Sequence, residues 1–263
     1  VIKTTDHTEP LGIDKNMPAR FLLPLIDQKA ASGFVNASLA LDQARAVKDI
    51  QEQELMRKAS HLNDMAMAEI THFFKEGVTE TDLAEQLKKI YRDLGADGLS
   101  FEPLFAFGSN AASGHHWPDD TRLKPGDCIL VDIGCTWEGY CSDMTRTFFY
   151  KNVTQHQQEV YHTVLKANEE AEKAVTPGIP LSSLDQIARG IITDKGYGSA
   201  FTHRLGHFIG LEDHEFGDVS SASADRAVPG NIFSIEPGVY LENDMGVRVE
   251  DLVLVTDHGH EIL

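Results

Sequence analysis

Two stretches of this chain carry carboxylates at matching places. Lys124-Pro-Gly-Asp-Cys-Ile-Leu-Val-Asp132-Ile-Gly134 is echoed by Val228-Pro-Gly-Asn-Ile-Phe-Ser-Ile-Glu236-Pro-Gly238, with Asp132 and Glu236 at the same position. A second acid follows each on another strand-like run, Asp143 in Ser142-Asp-Met-Thr-Arg-Thr147 and Glu250 in Val247-Arg-Val-Glu-Asp251. An acid inside an apolar run is costly to bury unless it is paired, hydrogen-bonded or coordinated. For one such acid a salt bridge to Arg146 or Arg248 would suffice. Four in matched positions point to a metal site.

Histidine supplies the remaining ligand type. The stretch from Thr202 to Glu215 holds His203, His207 and His214, and Gly114-His115-His116-Trp117-Pro118 holds two more. His207 stands between Gly206 and Gly210, where a permissive backbone lets a side chain approach a buried centre closely. One histidine with four carboxylates is a hard, oxygen-rich set, better suited to two ions such as Mn²⁺ or Co²⁺ than to a closed structural zinc. Two ions about 3.5–4 Å apart can share a hydroxide and polarise a carbonyl, an arrangement for metal-assisted hydrolysis.

The elements that position these residues repeat as well. Gly77-Val78 followed by Leu83, Ile90, Asp93 and Gly95 aligns without a gap onto Gly178-Ile179 followed by Leu184, Ile191, Asp194 and Gly196, at an offset of about a hundred residues, well beyond short solenoid periods. Two copies of a helix, helix, strand-pair unit are expected to pack as one α+β domain, because each is too small to bury its own apolar face well. The apolar spacing from about Asp42 predicts a long amphipathic helix ending near Gly77. Thr79 to Asp82 resembles a capping box and opens a second helix to Leu94. Strand-like runs follow at 100–107, 127–134 and 142–150, with Gly134 and Gly139 punctuating a hairpin. Helices at 155–175 and 181–195 repeat the pair, and the second strand set occupies 200–208, 231–236 and 246–255.

Composition excludes more than it assigns. At 263 residues with 41% hydrophobic content the chain is an ordinary globular length and mixture. No apolar run reaches a membrane span and no signal-peptide pattern opens the chain, so no membrane partner is expected and the cytoplasm is the default location. Cys128, Cys135 and Cys141 lack paired spacing and read as buried small hydrophobes. A net charge of -18, from 41 acids and 23 bases, repels phosphate backbones and argues against nucleic-acid partners.

The residues also carry a family resemblance. Asp132, Asp143, His207, Glu236 and Glu250 fall in the ordered motifs D-x-G, S-D-x-T-R-T, G-H-x-x-G-L, E-P-G-x-Y and G-x-R-x-E-D. That pattern resembles the pita-bread metallopeptidases: Xaa-Pro dipeptidase (prolidase), aminopeptidase P, methionine aminopeptidase and creatinase. It covers roughly Arg45 to Leu263, and Arg45-Ala-Val-Lys48 with Glu54-Leu-Met-Arg-Lys-Ala59 looks like the start of the catalytic domain of the Xaa-Pro enzymes. The resemblance implies a pita-bread fold, two pseudo-twofold-related repeats with a curved antiparallel sheet around a dinuclear site. It divides the chain into 1–41, the tail of an otherwise missing N-terminal domain, and a catalytic domain at 42–263.

Roles follow from the same resemblance. Asp132 and Asp143 would hold one metal and His207 with Glu236 the other, with Glu250 bridging both; the ions would be Mn²⁺ first, with Co²⁺ or Zn²⁺ as alternatives. Glu236 would shuttle the proton from the bridging hydroxide's parent water to the leaving nitrogen. His115 matches a histidine that contacts the scissile amide and His214 one that stabilises the oxyanion. His116 reads as a neighbour, and His203 and Arg248 as substrate-side residues, Arg248 orienting Glu250 or a substrate carboxylate. The implied activity is hydrolysis of Xaa-Pro bonds in dipeptides or at peptide N-termini, in a protein that could form a homodimer. Phe216-Gly217-Asp218 replaces the usual proline after His214-Glu215, and Gly114 stands where proline is frequent, both departures on the substrate side. A creatinase-like C-N hydrolase, a non-catalytic protein-binding module and a methionine aminopeptidase are the alternatives; the intact ligand set speaks against the first two, and the tail-like residues 1–41 against the third.

Overall fold

The computed structural model describes residues 8–263, so the first seven residues of the segment read as a domain tail lie outside the described ones. The chain divides into two compact units, one ending at Arg45 and one running from Ala46 to Leu263. In the first, strand β1 (Leu11–Ile13) pairs in parallel with β2 (Phe34–Asn36), and helix α1 (Ala19–Asp27) makes the crossover that a parallel pair requires. Helix α2 (Ser38–Ala46) closes that unit, so the boundary expected at 41/42 falls inside a helix.

The second unit opens with helices α3 (Ile50–Ile70) and α4 (Glu80–Leu94). The one long helix expected from Asp42 to Gly77 is therefore interrupted. Asp49 takes an extended conformation, accepts bonds from the Gln51 and Glu52 backbone N–H groups, and receives a reciprocal cap from Glu52; this starts a new helix in mid-pattern. The Thr79–Asp82 capping box forms as expected, and Gly95 in the left-handed region ends α4. Strands β3 (Gly98–Leu99), β4 (Leu104–Phe107), β5 (Cys128–Ile133), β6 (Cys135–Trp137), β7 (Tyr140–Cys141) and β8 (Met144–Phe149) complete the first half. Helices α5 (Gln155–Ala174) and α6 (Leu181–Asp194) open the second, followed by β9 (Gly206–Phe208), β10 (Glu215–Val219), β11 (Ile232–Ile235), β12 (Gly238–Leu241), β13 (Met245–Arg248), β14 (Asp251–Val255) and β15 (His260–Ile262).

Several expected strands shorten. Pro103 delays β4, a 3₁₀ turn at 198–200 delays β9, and the run 246–255 splits into two strands of different sheets around Val249 and Glu250. The three cysteines are buried free thiols. Among the described residues no helix is long and apolar enough to cross a membrane.

The two halves match in detail. Gly77 and Gly178 have φ of 84° and 87°, Gly95 and Gly196 of 83° and 86°, and Gly126 and Gly230 of 94° and 90°. Arg122 Nη1 donates to Gly77 O and Arg226 Nη1 to Gly178 O, each at 2.7 Å. Asn63 of α3 donates to Ile133 O at 2.9 Å, and Asn168 of α5 to Ile235 O at 3.0 Å. A buried asparagine on the first helix of each half thus satisfies a carbonyl at the strand end beside an acid.

Strand alternation places the acids. In β4 and β5, Phe105, Phe107, Ile129, Val131 and Ile133 join one buried cluster with α3 and α4, while Leu104, Ala106, Cys128 and Leu130 join a second cluster with α5, α6 and β11. Side chains alternate with period two, so Asp132 shares the face of Cys128 and Leu130, toward the other half.

Close packing between strands and loops tests this description. A Cβ on Gly246 of β13 would lie 1.7 Å from Ala111 O, whereas one on Gly190, inside α6, meets nothing within 4 Å. We expect Gly246→Ala to lower the free energy of unfolding by at least roughly 1–3 kcal/mol and Gly190→Ala to raise it by about 0.5–1 kcal/mol, both read by denaturant titration.

Candidate metal centre

The strand ends and turns bring Asp132, Asp143, His207, Glu236 and Glu250 to one cavity of about 500 Å³. Asp132 lies within β5; Asp143 and Glu250 immediately precede β8 and β14; His207 is central in β9; Glu236 follows β11. Gly206 permits the approach of β9, since a Cβ there would lie 1.8 Å from Ser234 O. The His207 N–H donates to Ser234 Oγ at 3.0 Å, and Ser234 Oγ donates to Glu236 Oε1 at 3.2 Å, which ties two candidate ligands to one hydroxyl.

His207 is buried, and burial lowers its pKa to about 4, so it is neutral. Its Nδ1 lies 3.2 Å from the Phe208 carbonyl and is the donor there, leaving the Nε2 lone pair for the centre. Asp143 Oδ2 stands 3.5 Å and Glu236 Oε1 3.6 Å from that Nε2. Ligand atoms of Asp143, His207 and Glu250 all lie within 4.8 Å of one another. The resemblance grouped Asp143 with Asp132 and the bridging Glu250; the structure places Asp143 next to His207 as well, in one cluster with Glu250.

Crowded acids strain their own ionisation. Burial, then the neighbouring carboxylates, push Asp143 and Glu250 well above the usual carboxylate range. Burial raises Glu236 to about 7 and also raises Asp132, both opposed by Arg248. Asp132 Oδ1 is buried with no hydrogen-bond partner among the described residues, as is Asp213 Oδ1 on the same cavity. A neutral imidazole with its lone pair free, four repelling carboxylates and orphaned carboxylate oxygens are the features a divalent-metal site requires.

The arginines do not pair with Asp143 or Glu250. Arg248 Nη2 donates to Asp132 Oδ2 at 2.6 Å, and Arg146 Nη2 to Asp251 Oδ1 at 2.5 Å. Arg248 reaches Glu250 indirectly: its Nε donates to Thr145 Oγ1 at 2.9 Å, and that hydroxyl donates to Glu250 Oε2 at 2.7 Å. Arg146 Nη1 holds the Glu250 carbonyl at 2.5 Å.

The remaining histidines divide by environment. His115 and His214 line the cavity and are exposed. His214 packs its ring against His207 with centroids 4.0 Å apart, and its Nδ1 lies 2.9 Å from Asp213 Oδ2, the bond that raises its pKa. His203 lines the cavity with both nitrogens engaged, Nδ1 on Arg204 O at 2.7 Å and Nε2 with Tyr240 Oη at 2.9 Å. His116 bonds buried Glu80 at 2.7 Å. Glu80 also accepts from Phe107 N, Asn110 Nδ2 and Asp119 N, so Glu80, His116 and Asp119 form a satisfied hydrogen-bond hub.

Tyr240, Thr145 and Asp213 were not singled out from the sequence. Tyr240 joins His203 to Arg248, whose Nη1 donates to its hydroxyl at 2.8 Å. Both Tyr240 and Thr145 sit inside the motifs already quoted, and that position was their only signal; Asp213 directly precedes His214.

The model for metallopeptidase family M24 matches residues 54–257. An uncharacterised peptidase of Staphylococcus aureus strain MW2 is 41% identical over 239 residues, covering 91% of this chain and 68% of that protein. The prolidase from Pyrococcus furiosus superposes with a TM-score of 0.92 at 32% identity, over 99% of this chain and 77% of that one. The X-Pro aminopeptidase from Thermotoga maritima MSB8 superposes with a TM-score of 0.92 at 33% identity, over 97% of this chain and 72% of that one. The expected pita-bread fold is thereby shown.

The titration of Glu236 gives a signed prediction for the metal-free protein. Its folded pKa, about 7, exceeds the ordinary 4.5, so the folded state binds the extra proton and stability falls as pH rises between those values. His203 and His207, both lowered to about 4, act oppositely, an effect that fades only above their ordinary 6.5, while Asp143 and Glu250, raised well above the usual carboxylate range, act in the same sense as Glu236. In chelator, melting temperature should therefore decline from pH 6.5 to 7.5, and the stabilisation given by added Mn²⁺ should grow over the same interval, as calorimetry at the two pH values would record.

Proposed function

This chain belongs to metallopeptidase family M24, and from that premise we propose that it hydrolyses the Xaa-Pro bond of dipeptides or peptide N-termini with two divalent ions. The observation that carries this reading is the convergence of five candidate ligands and four further histidines, His115, His116, His203 and His214, on one cavity. Asp132, Asp143, His207, Glu236 and Glu250 would hold the ions, and the oxygen-rich set favours Mn²⁺. The chemistry supplied by the bound ions is polarisation of the scissile carbonyl and activation of water.

The protein's own groups do the rest. Glu236 accepts the proton from the attacking water at a carboxylate oxygen and gives it to the leaving nitrogen. That transfer matters here because an imide nitrogen before proline carries no hydrogen of its own and leaves only once protonated. His115, exposed on the cavity wall, meets the scissile amide; His214, kept more basic by Asp213, donates to the developing oxyanion. Arg248 and His203 are joined through Tyr240, and Arg248 also holds Asp132. Phe101, Pro103 and Leu104 supply apolar surface for the proline ring. Three unpaired thiols fit a cytoplasmic setting.

Glu236→Gln should lower kcat on an Xaa-Pro dipeptide by about 10²–10⁴-fold, and His207→Ala should abolish metal-dependent turnover while circular dichroism reports an intact fold. Retained activity in both would refute the site. A manganese-reconstituted assay of Xaa-Pro dipeptides, Xaa-Pro-Yaa peptides, Met-Xaa peptides and creatine tests the substrate; preference for either of the last two would overturn the proline reading.

A further inference from the structure

Residues 114–118 carry His115 and His116 along the cavity wall. Apart from the local turn bond of His116 N to Ser113 O at 3.1 Å, two hydrogen bonds tie this segment to the fold among the described residues. On one side Arg248 Nη1 donates to Gly114 O at 3.4 Å, while Arg248 Nη2 holds the candidate ligand Asp132 at 2.6 Å. On the other, His116 Nε2 lies 2.7 Å from Glu80 Oε2. That oxygen also accepts from Asp119 N at 3.1 Å, so it is an acceptor, His116 Nε2 carries the proton, and the ring is held in one orientation. His115 stands between the two ties, its ring exposed and without a hydrogen bond among the described residues.

The duplicated frame does not require an acid at position 80. It maps Gly77 onto Gly178 and so Glu80 onto Leu181. The backbone surroundings agree: Gly77 N donates to Leu123 O at 2.9 Å and Gly178 N to Ala227 O at 2.8 Å, Glu80 N to Thr121 O at 3.3 Å and Leu181 N to Asp225 O at 3.0 Å. Both residues are 0% exposed. A leucine therefore fills this position in one half, and burying a carboxyl there is the costlier choice. In the half whose loop bears His115, that carboxyl also accepts from Phe107 N at 2.7 Å and Asn110 Nδ2 at 2.9 Å. One side chain thus holds the loop at its start, through Phe107 and Asn110, in its middle, through His116, and at its end, through Asp119.

We propose, on the hydrolytic reading above, that Glu80 is a positioning residue for His115, clamping its segment through the His116 ring so that His115 meets the scissile amide at the working distance. Glu80 has no exposed surface and does not line the cavity, so it acts through the segment alone. A misplacement of about 1 Å is enough to cost about 10²-fold in rate.

The test uses the manganese-loaded protein with Ala-Pro as substrate. His116→Ala and Glu80→Gln should each lower kcat about 10–100-fold, with KM and bound manganese nearly unchanged. His116→Gln, which can still donate to Glu80, should restore part of the loss. In a His115→Ala background His116→Ala should cost nothing further, because both changes remove one shared contribution. Equal losses in the two backgrounds, loss of bound manganese, or full activity in His116→Ala or Glu80→Gln would overturn the proposal. Should Glu80→Gln not fold, the His116 pair carries the test. Backbone relaxation of the zinc-loaded protein separates the clamp from the hydrolytic reading: the order parameter of the His115 amide should fall from about 0.85 to below about 0.6 in His116→Ala and stay high in His116→Gln. If no peptide is cleaved, that reading fails, yet the fall in order still supports the clamp, and an unchanged order parameter refutes it.

Discussion

Mutual repulsion among carboxylates gathered in one buried cleft is the constraint on which the rest of this structure depends. Asp132, Asp143, Glu236 and Glu250 lie together with one guanidinium, Arg248, touching only the first of them. Burial and proximity both disfavour their ionised forms, so the cleft favours protons or divalent ions over emptiness. Holding the acids in place against that repulsion falls to neighbouring side chains. Arg146 grips the Glu250 carbonyl, Thr145 the Glu250 carboxylate, and Asn63 and Asn168 the carbonyls of Ile133 and Ile235.

Duplication supplies the frame, and small departures from symmetry supply the chemistry. In the first half Asp132 pairs across the sheet with Thr145, two residues beyond Asp143. In the second, Ile235 pairs with Asp251, so the same register carried one step further sets Glu236 opposite Glu250. The second acids are thus offset by two residues between halves. A shift of two preserves the face of a strand, so both copies still aim their acids at the cleft. The offset leaves Thr145 free to act as a hydroxyl relay between Arg248 and Glu250.

Outside the ligands, buried ionic and hydrogen-bonded groups hold the histidine-bearing loops. Glu80 at the start of α4 binds the backbone and His116 of the segment that carries His115. Asp185 on α6 holds Leu205 N–H and Arg189, which in turn binds the carbonyls of Phe201 and His203. Lys48 and Glu215, almost wholly buried and 2.9 Å apart, anchor the turn that bears His214. Breaking any of these would leave an uncompensated buried charge, which is why they rigidify the loops they hold.

The side chains that converge on the cleft, the duplication and most helix boundaries were legible in the amino-acid sequence, because each is written in local signals. Matched carboxylates in apolar runs, paired glycines that require φ near 85°, and caps such as Thr79 with Asp82 need no distant partner to be recognised. The break at Asp49 and the split around Glu250 were not legible, since helical and apolar periodicity run through both. Tyr240, Thr145 and Glu80 gained their roles through partners distant in the chain, such as the Thr145–Glu250 bond across 105 positions. Residue types and spacing by themselves determined which groups could bind metal. Which acid stands beside His207 and which partner each arginine takes were decided by the tertiary structure, because pairing and burial depend on distances that no local pattern encodes.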